Sequence, residues 1–389
     1  MSSPFYSLIV PTKNRAELLP TLIESVLSQE YENFELLIID NDDIESSKTQ
    51  IIVSQYSDTR IKYHRTGGLS MAENWNYGYS KASGDFMIVM RDKYVLKPHS
   101  LVILNHYVQK YNPEVISWRW NSVNIQNDDW KNITGSFEVK CHSNTDYLNW
   151  FFEMGANYLN YLVMLPIGAN TCLSRNLCNR ILSHSPQLCF ENAPDYALGS
   201  QILFYCDTIY HLDLSLCGSF EHRLQYSTGN LHDMGQLKTA IKMMGSKSTS
   251  LDVIAEQPLD MACTETIIIE DFLRLAKINN QPYTFENFNC VGYYSTIYSQ
   301  TIQRFATAIS LYNKPNSKYF KGIRRYIKSS VQNNVADNND KQMILKNISH
   351  SDKRLFIKII LIKGYKWYNA IINEFLPQQI KKGKSKYFN

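Results

Sequence analysis

Apolar and polar segments alternate regularly over the first forty residues. An apolar run over residues 8–11 ends in the polar turn Thr12-Lys-Asn-Arg15. From Leu18 to Leu27 the apolar residues recur with a period near 3.6, which predicts an amphipathic helix. A second apolar run, Phe34 to Ile39, ends in Asp40-Asn-Asp-Asp43. Together they predict a right-handed βαβ unit with both polar turns at the carboxyl edge of a sheet, where α/β proteins bind ligands.

The same alternation continues to about residue 230 and then changes. A Gly67-Gly68 turn precedes a predicted helix at Ser70 to Ser80, and Phe86 to Met90 reads as a central strand. Beyond residue 230, strand signals become scarce and helical spacing dominates. We therefore predict an α/β domain over residues 1–230 and a mainly α-helical C-terminal region over residues 231–389. In the second region, the predicted helices are Met234 to Met244, Thr264 to Lys277 and Thr296 to Tyr312, and the predicted loops are Asn279-Asn-Gln281 and Asn333 to Asp340.

Two stretches resemble a known family. The segments FYSLIVPTKNRAELLPTLIESVLSQEYENFELLIIDNDD and GGLSMAENWNYGYSKASGDFMIVMRDKYVLKPHSL are similar to the opening of family 2 glycosyltransferases, in order and in spacing. The resemblance covers roughly residues 5 to 105, with a weaker echo to about 230. It implies the α/β fold of the GT-A type, with a mostly parallel central sheet flanked by helices. It also implies transfer of a sugar from a nucleotide sugar, with inversion at the anomeric carbon.

Composition sets further limits. A net charge of +4 over 389 residues gives no reason to propose nucleic acid as a partner. The eight cysteines show no CxxC pair and no zinc spacing, so buried free thiols in a reducing compartment are expected. Neither a signal peptide nor a run of 18 apolar residues is present, which predicts a cytoplasmic protein without a membrane span.

The polar turns supply candidates for gripping a nucleotide. Pro11, Thr12, Asn14 and Arg15 at the first turn and Asp40 at the second match the nucleotide-contacting positions of the family that the chain resembles. Asp40 can accept hydrogen bonds from a base or a ribose, and Arg15 can pair with phosphate. The bland alternative is that Asp40 only caps its turn and that Arg15 is a solvated charge.

A third nucleotide candidate lies in the predicted helix after the two glycines. Asn74, together with backbone N–H groups of the Gly67-Gly68 turn, is expected near the donor. Two glycines in a row are, however, more often simply a turn.

The loop after the central strand departs from the family pattern. In the family this loop is carboxylate-rich and binds Mg²⁺ or Mn²⁺ at the diphosphate, whereas here it reads Arg91-Asp-Lys-Tyr94. One hypothesis is that Arg91 or Lys93 compensates the diphosphate charge without a metal. A second is that Asp92 keeps a metal with help from His222 or Glu221. A third is that transfer activity has been lost.

The candidate catalytic base is Asp195. It follows Pro194, which suits the first turn of a helix, and the resemblance implies an acidic residue that deprotonates the acceptor at this kind of loop-to-helix junction. Glu191 is the reserve candidate. The alternative is an acid that only complements the helix dipole.

The C-terminal tail allows two interpretations. Residues 355–368 are apolar and aromatic with interspersed lysines, and the chain ends in a basic stretch at 380–387. Either this segment is a helix packed on the protein with a frayed basic end, or it makes peripheral contact with the inner face of an anionic membrane.

These features predict a glycosyltransferase that uses a UDP- or GDP-sugar and modifies a glycan or a lipid-linked saccharide, in the biosynthesis of a surface polysaccharide or glycoconjugate. The alternative is a non-catalytic protein that binds a nucleotide sugar or a glycan on the same fold.

Overall fold

The structure is a computed structural model. It describes residues 4–125, 128–155, 161, 164–190, 192–220, 256–259, 264–312 and 317–363. By their internal contacts the residues form two compact units, Met1–Asn289 and Cys290–Asn389.

Four parallel strands form the N-terminal half of a nine-stranded sheet, in the order β3-β2-β1-β4. They are β1 (Tyr6–Thr12), β2 (Phe34–Asp40), β3 (Ile61–Arg65) and β4 (Phe86–Val89). Every residue of β1 and β2 is buried, as expected for strands covered on both faces. The connections are helical: α1 (Leu19–Leu27), α2 (Lys48–Val53) and α3 (Met71–Lys81). The predicted βαβ unit is confirmed.

Register within this half fixes where the polar turns lie. Thr12 at the end of β1 pairs with Asp40 at the end of β2, and Asp40 pairs with Arg65 at the end of β3. The carboxyl ends of the three strands are therefore level, and their polar residues share one edge of the sheet.

The other half of the sheet is mixed, with one parallel and four antiparallel strand pairs, so the sheet is less parallel than expected. Its strands are β5 (Tyr94–Leu96), β6 (Val115–Val123), β7 (Gly135–Ser143), β8 (Thr171–Ser174) and β9 (Thr208–Phe220). β8 runs antiparallel to both β4 and β6, while β9 is parallel to β6 and antiparallel to β5 and β7. The helices here are α4 (Ser100–Tyr111), α5 (Asn144–Glu153), α6 (Arg175–Leu182) and α7 (Pro194–Tyr205).

The helical part of the chain begins with α8 (Thr264–Ile278), which packs against α7 and belongs to the first unit. The two units divide between Asn289 and Cys290, further along the chain than the expected boundary near residue 230, which falls outside the described residues. The reason is that α8 is tied to the α/β domain through α7. The predicted helix at Met234 to Met244 also lies outside the described residues.

The second unit consists of helices over its described part: α9 (Cys290–Tyr312), α10 (Ser317–Asn334) and α11 (Asn338–Lys363). The Tyr294 and Ser330 hydroxyls are 3.0 Å apart, which links α9 to α10, and Asn347 donates to Ser295 over 3.1 Å, which links α11 to α9. The loop expected at 333–340 is confined to residues 335–337. Among the described helices, none has the length and apolarity to cross a bilayer.

Most of the described cysteines are buried free thiols, as the sequence predicts. Seven cysteines carry free thiols, and five of them are buried, at positions 172, 178, 189, 206 and 217. Cys263 lies outside the described residues.

Candidate active site

The first two polar turns are bonded to each other at the carboxyl edge. Asn14 adopts a positive φ of 54°, and its backbone N–H donates to the Asp42 carboxylate. Its side chain donates to Asp43 over 2.9 Å and accepts from the Asp43 N–H over 3.1 Å. Asp42 also accepts from the Thr49 hydroxyl over 2.8 Å. Asn14 is thus at the predicted edge, where it joins the β1 turn to the β2 turn.

Asp40 is fully buried and already has three donors. The Tyr63 hydroxyl donates over 2.5 Å, the Arg65 guanidinium over 2.7 Å and the Asp42 N–H over 2.8 Å. Burial, followed by the hydrogen bond to Asp40, raises the pKa of Tyr63 to about 12, which keeps it a donor at neutral pH. The sequence placed Asp40 at the right edge, but these partners favour a role in ordering the second turn.

Asn74 shapes the glycine turn from inside the fold. It accepts from the Thr66 hydroxyl over 2.8 Å and donates to the Ile39 carbonyl over 3.3 Å. Gly67 and Gly68 have φ of 62° and 76°, the left-handed region that glycine enters without strain.

Sequence reasoning missed Asn41 at this turn. Its amide donates to the Leu69 carbonyl over 2.7 Å and accepts from the Leu69 N–H over 2.9 Å, so it fixes the end of the glycine turn. Its position directly after Asp40 was the available signal.

Asp92 is held by the first turn. It is 5% exposed, and it accepts from the Thr12 hydroxyl over 3.2 Å and from Arg15 over 3.0 Å. Burial raises the pKa of the Asp92 carboxyl above its ordinary value, although Arg15 opposes that shift. Thr12, Arg15 and Asp92, three separate candidates from the sequence, therefore form one cluster. Pro11 lies one residue before Thr12 in β1, in register with Ile39.

Arg91, the next residue back along the loop, is paired with the candidate base. Its guanidinium contacts the Asp195 carboxylate, and it lies 5.8 Å from the centroid of the Tyr94 ring. The other Asp195 oxygen accepts from the Tyr196 N–H over 3.1 Å. The structure thus brings two sequence candidates 104 residues apart into direct contact. Lys93 is half-buried beside them, and its carbonyl accepts from the Phe220 N–H over 3.1 Å.

The described residues do not fit a divalent metal at Asp92. Both Asp92 oxygens bond to Thr12 and Arg15, and the adjacent guanidinium opposes a cation electrostatically. In the part of the chain that the structure describes, no cluster of three His, Cys, Asp or Glu side chains could hold a metal ion. His222, Glu221 and Glu191 lie outside the described residues.

The start of α7, where Asp195 sits, is held from α8. Asp271 of α8 accepts from the Asn192 side-chain amide over 2.7 Å and from the Ala193 N–H over 2.9 Å. Sequence reasoning missed Asp271, because it lies in a segment predicted to be a separate helical region.

Comparison with known proteins identifies the first part of the chain. Residues 7–182 match the model of glycosyl transferase family 2. Over 91 residues the chain is 33% identical to a GalNAc(5)-diNAcBac-PP-undecaprenol beta-1,3-glucosyltransferase of Campylobacter jejuni, which is 23% of this chain and 29% of that protein. Over 110 residues it is 31% identical to the putative colanic acid biosynthesis glycosyl transferase WcaA of Escherichia coli, 28% of this chain and 39% of that protein. The chain therefore spans well under half the length of either relative.

A solved structure of S. aureus TarS 1–349 in complex with UDP-GlcNAc aligns with 92% of this chain and 91% of that chain, at 11% identity and a TM-score of 0.44. The parallel βαβ half of the sheet, with polar turns at its carboxyl edge, agrees with the expected GT-A fold, as does the family match over residues 7–182. The match to the glycosyl transferase family 2 model covers residues 7–182, so the similarity to that family lies in this part of the chain.

Proposed function

We propose that this protein is an inverting glycosyltransferase that moves a sugar from a UDP- or GDP-sugar to a glycan or a lipid-linked saccharide. The family match supports the reaction class, and the named activities of the two relatives support a role in polysaccharide or glycoconjugate synthesis. The observation that carries the proposal is the Arg91–Asp195 contact, because it sets a cation and a carboxylate side by side next to the turns of the sheet edge.

In the proposed reaction Asp195 is the general base. Its carboxylate takes the proton of an acceptor hydroxyl while the hydroxyl oxygen bonds to the anomeric carbon. The bond from that carbon to the diphosphate oxygen breaks with its electron pair, and the nucleoside diphosphate leaves. A single displacement from the opposite face inverts the anomeric centre.

Arg91 compensates the charge of the leaving group in this scheme. Guanidinium groups bind phosphate oxygens in a bidentate manner, and such bonds strengthen as negative charge develops. Lys93 follows two residues later on the same loop and adds a second cation. This assignment follows the metal-free hypothesis, and no step is routed through a metal because Asp92 is held by Arg15 and Thr12.

The Arg91–Asp195 pair also implies an order of events. The Arg91 guanidinium competes with an acceptor hydroxyl for the Asp195 carboxylate. A bound diphosphate offers Arg91 competing oxygens, and when Arg91 turns to them Asp195 is released. Donor would then bind before acceptor.

We assign the remaining candidates at the sheet edge an indirect role in nucleotide binding, because they hold the turns in place. Asn14 and Asp40 fix the backbone of the two turns, and Asn74 fixes the glycine turn, at the edge where the nucleotide would bind. Thr12 and Arg15 hold Asp92, and thereby hold the loop that carries Arg91.

A panel of nucleotide sugars, read by release of nucleoside diphosphate with and without EDTA, tests the proposal. We expect turnover with one donor class and an unchanged rate in EDTA. The Asp195→Asn variant should lose about 10²- to 10⁴-fold in kcat, the contribution of a general base, while keeping its affinity for the nucleoside diphosphate. Asp207→Asn, an exposed acid just beyond α7, is the matched control and should keep its activity.

The alternative function, a non-catalytic binder of nucleotide sugars, predicts a different result. Such a protein would bind the nucleotide and neither transfer nor hydrolyse the sugar. An EDTA-sensitive rate would instead favour a metal and refute the role given to Arg91.

We also propose peripheral contact with an anionic membrane through the C-terminal unit. Residues 290–389 contain 18 Lys and Arg against 4 Asp and Glu, whereas the whole chain has 40 against 36. Basic clusters are attracted to anionic lipid by about 1 kcal/mol per residue close to the surface. Flotation of the full chain with anionic and with zwitterionic vesicles tests this contact. Binding only to anionic vesicles, weakened by salt, is expected, and equal behaviour with both would refute it.

A further inference from the structure

The helix that carries Asp195 begins without a cap of its own. Ala193 occupies the N-cap position of α7, and no side chain of that position bonds to the helix. An alanine cannot satisfy the free N–H groups of a first turn, so the start of such a helix depends on groups from elsewhere.

Asp271 supplies the missing acceptor from a different helix. One of its oxygens accepts from the Ala193 N–H over 2.9 Å and the other from the Asn192 amide over 2.7 Å. Both bonds are buried, and Asp271 is 4% exposed. The Asp271 carboxylate thus binds the two residues immediately before Pro194-Asp195.

A second side chain, Asn76, holds the chain a few residues before Asn192. Asn76 of α3 accepts from the backbone N–H groups of Leu188 and Cys189, over 3.1 and 3.0 Å, and donates to the Cys189 carbonyl over 2.8 Å. Asn76 therefore anchors residues 188–189 to α3, and Asp271 anchors residues 192–193 to α8.

Asp271 is held in an environment that disfavours its charge. Burial raises the pKa of the Asp271 carboxyl to about 7, in spite of the Asn192 and Ala193 hydrogen bonds and the nearby Arg274, while Glu270 adds to the rise. A buried carboxylate maintained against desolvation needs a reason other than stability.

We propose that Asp271 is a positioning residue for glycosyl transfer: by gripping Asn192 and Ala193 from α8, it sets the place of Asp195 against Arg91 and the acceptor hydroxyl. This inference rests on the proposed function, because it assigns a purpose to Asp271 through Asp195. It also makes α8 a part of the active domain.

The experiment compares Asp271→Asn and Asp271→Ala with Glu270→Gln in the full chain. Glu270 is the matched control, because it is a fully buried acid on the same helix, and its partners include Arg274 and Gln257. The measurements are kcat and donor KM by nucleoside diphosphate release, Tm, and amide hydrogen exchange over the first turn of α7.

Asp271→Asn should lower kcat by about tenfold or more, since small displacements of a catalytic group reduce rate strongly, with donor KM nearly unchanged. Amide exchange at the start of α7 should speed up. At pH 8, where Asp271 is ionised, the Tm of Asp271→Asn should be no lower than that of the wild type, because the variant no longer buries a charge. Asp271→Ala should lower kcat further.

Unchanged kcat in Asp271→Asn would overturn the inference, as would an equal fall of kcat in Glu270→Gln or a fall that only follows a lower Tm. These outcomes are separate from failure of the proposed function. A wild-type chain that releases no nucleoside diphosphate from any donor would overturn both, whereas an active wild type with a fully active Asp271→Asn overturns this inference alone.

Discussion

Replacing Arg15 by Met should destabilise the protein in a way that depends on pH. The substitution keeps most of the side-chain volume and leaves Asp92, 5% exposed, without its guanidinium partner. Breaking a buried ion pair by removing one partner costs about 3–5 kcal/mol when the remaining charge stays ionised. Asp92 can instead take up a proton, because burial already raises the pKa of its carboxyl.

Protonation of Asp92 limits how much the free energy of unfolding falls. Holding a carboxyl protonated costs about 1.36 kcal/mol for each pH unit above its unfolded pKa of about 3.9. At pH 7 the limit is about 4 kcal/mol, and at pH 5 it is about 1.5 kcal/mol by the same arithmetic. The sign follows from linkage: the variant raises the pKa of Asp92 in the folded state, so its deficit grows as pH rises and shrinks as pH falls.

Urea unfolding at pH 7 and pH 5, followed by Trp fluorescence, measures the difference. Five of the six Trp residues precede residue 290, so the signal reports mainly the first unit. Asp92→Asn and the double variant complete a cycle, and we expect the double variant to be more stable than Arg15→Met alone at pH 7. An Arg15→Met deficit of equal size at both pH values would refute the buried-pair reasoning. A metal-stimulated rate abolished by Asp92→Asn at unchanged stability would refute the structural assignment of Asp92.

Three further predictions concern the sheet and the catalytic loop. Burial alone would raise the pKa of Glu35, but hydrogen bonds led by that from Lys62 lower it to about 2. The lowered pKa contributes folding stability above about pH 4.3, and this contribution is lost as pH falls toward 2. Glu35→Gln should therefore remove that part of the acid sensitivity when unfolding is measured against pH. Gly84→Ala should lower Tm, because its Cβ would lie 2.7 Å from backbone atoms at the start of β1, whereas Gly155→Ala, with its nearest neighbour at 3.9 Å, should leave Tm nearly unchanged; equal shifts would contradict the steric argument. Arg91→Lys should lower kcat/KM for the donor by about tenfold, because an ammonium cannot form the bidentate phosphate bond, and an unchanged kcat/KM would count against the proposed contact.

Much of the α/β domain could be predicted from the sequence because its signals are local. The buried runs of β1 and β2 and the helical spacing of α1 each lie within a window of about ten residues, and together they predict a parallel pair with two polar turns at one edge. The antiparallel insertion of β8 between β4 and β6 has no such signal, since it depends on pairing between distant segments.

The site shows the same division between local and distant information. Strand ends placed Asp40, Asp92 and Arg15 at the correct edge. Their partners could not be predicted, because the Arg15–Asp92 and Arg91–Asp195 pairs join residues 77 and 104 positions apart. Asp271 was missed for a related reason: helical spacing in α8 indicated a helix but not that one of its acids would cap α7.

Ion pairing at the sheet edge explains why Arg91 is the group best suited to exchange partners. Arg65 is bonded to Asp40 and to the Asp43 carbonyl, and Asp40 is fully buried, so releasing Arg65 would strand a buried charge. Arg15 is 14% exposed, and its release would do the same to Asp92.

Arg91 differs in its partner, because the Asp195 side chain is 15% exposed and keeps the Tyr196 N–H bond, whereas those of Asp40 and Asp92 are 0% and 7% exposed. A diphosphate would therefore draw Arg91 away at the lowest electrostatic cost of the three, and it would leave free the carboxylate that the reaction needs. Saturating nucleoside diphosphate should therefore increase the reaction of Asp195 with a carbodiimide in the wild type. Arg91→Gln should react fast with or without the nucleotide, and a wild-type rate that does not respond to nucleotide would rule out the exchange.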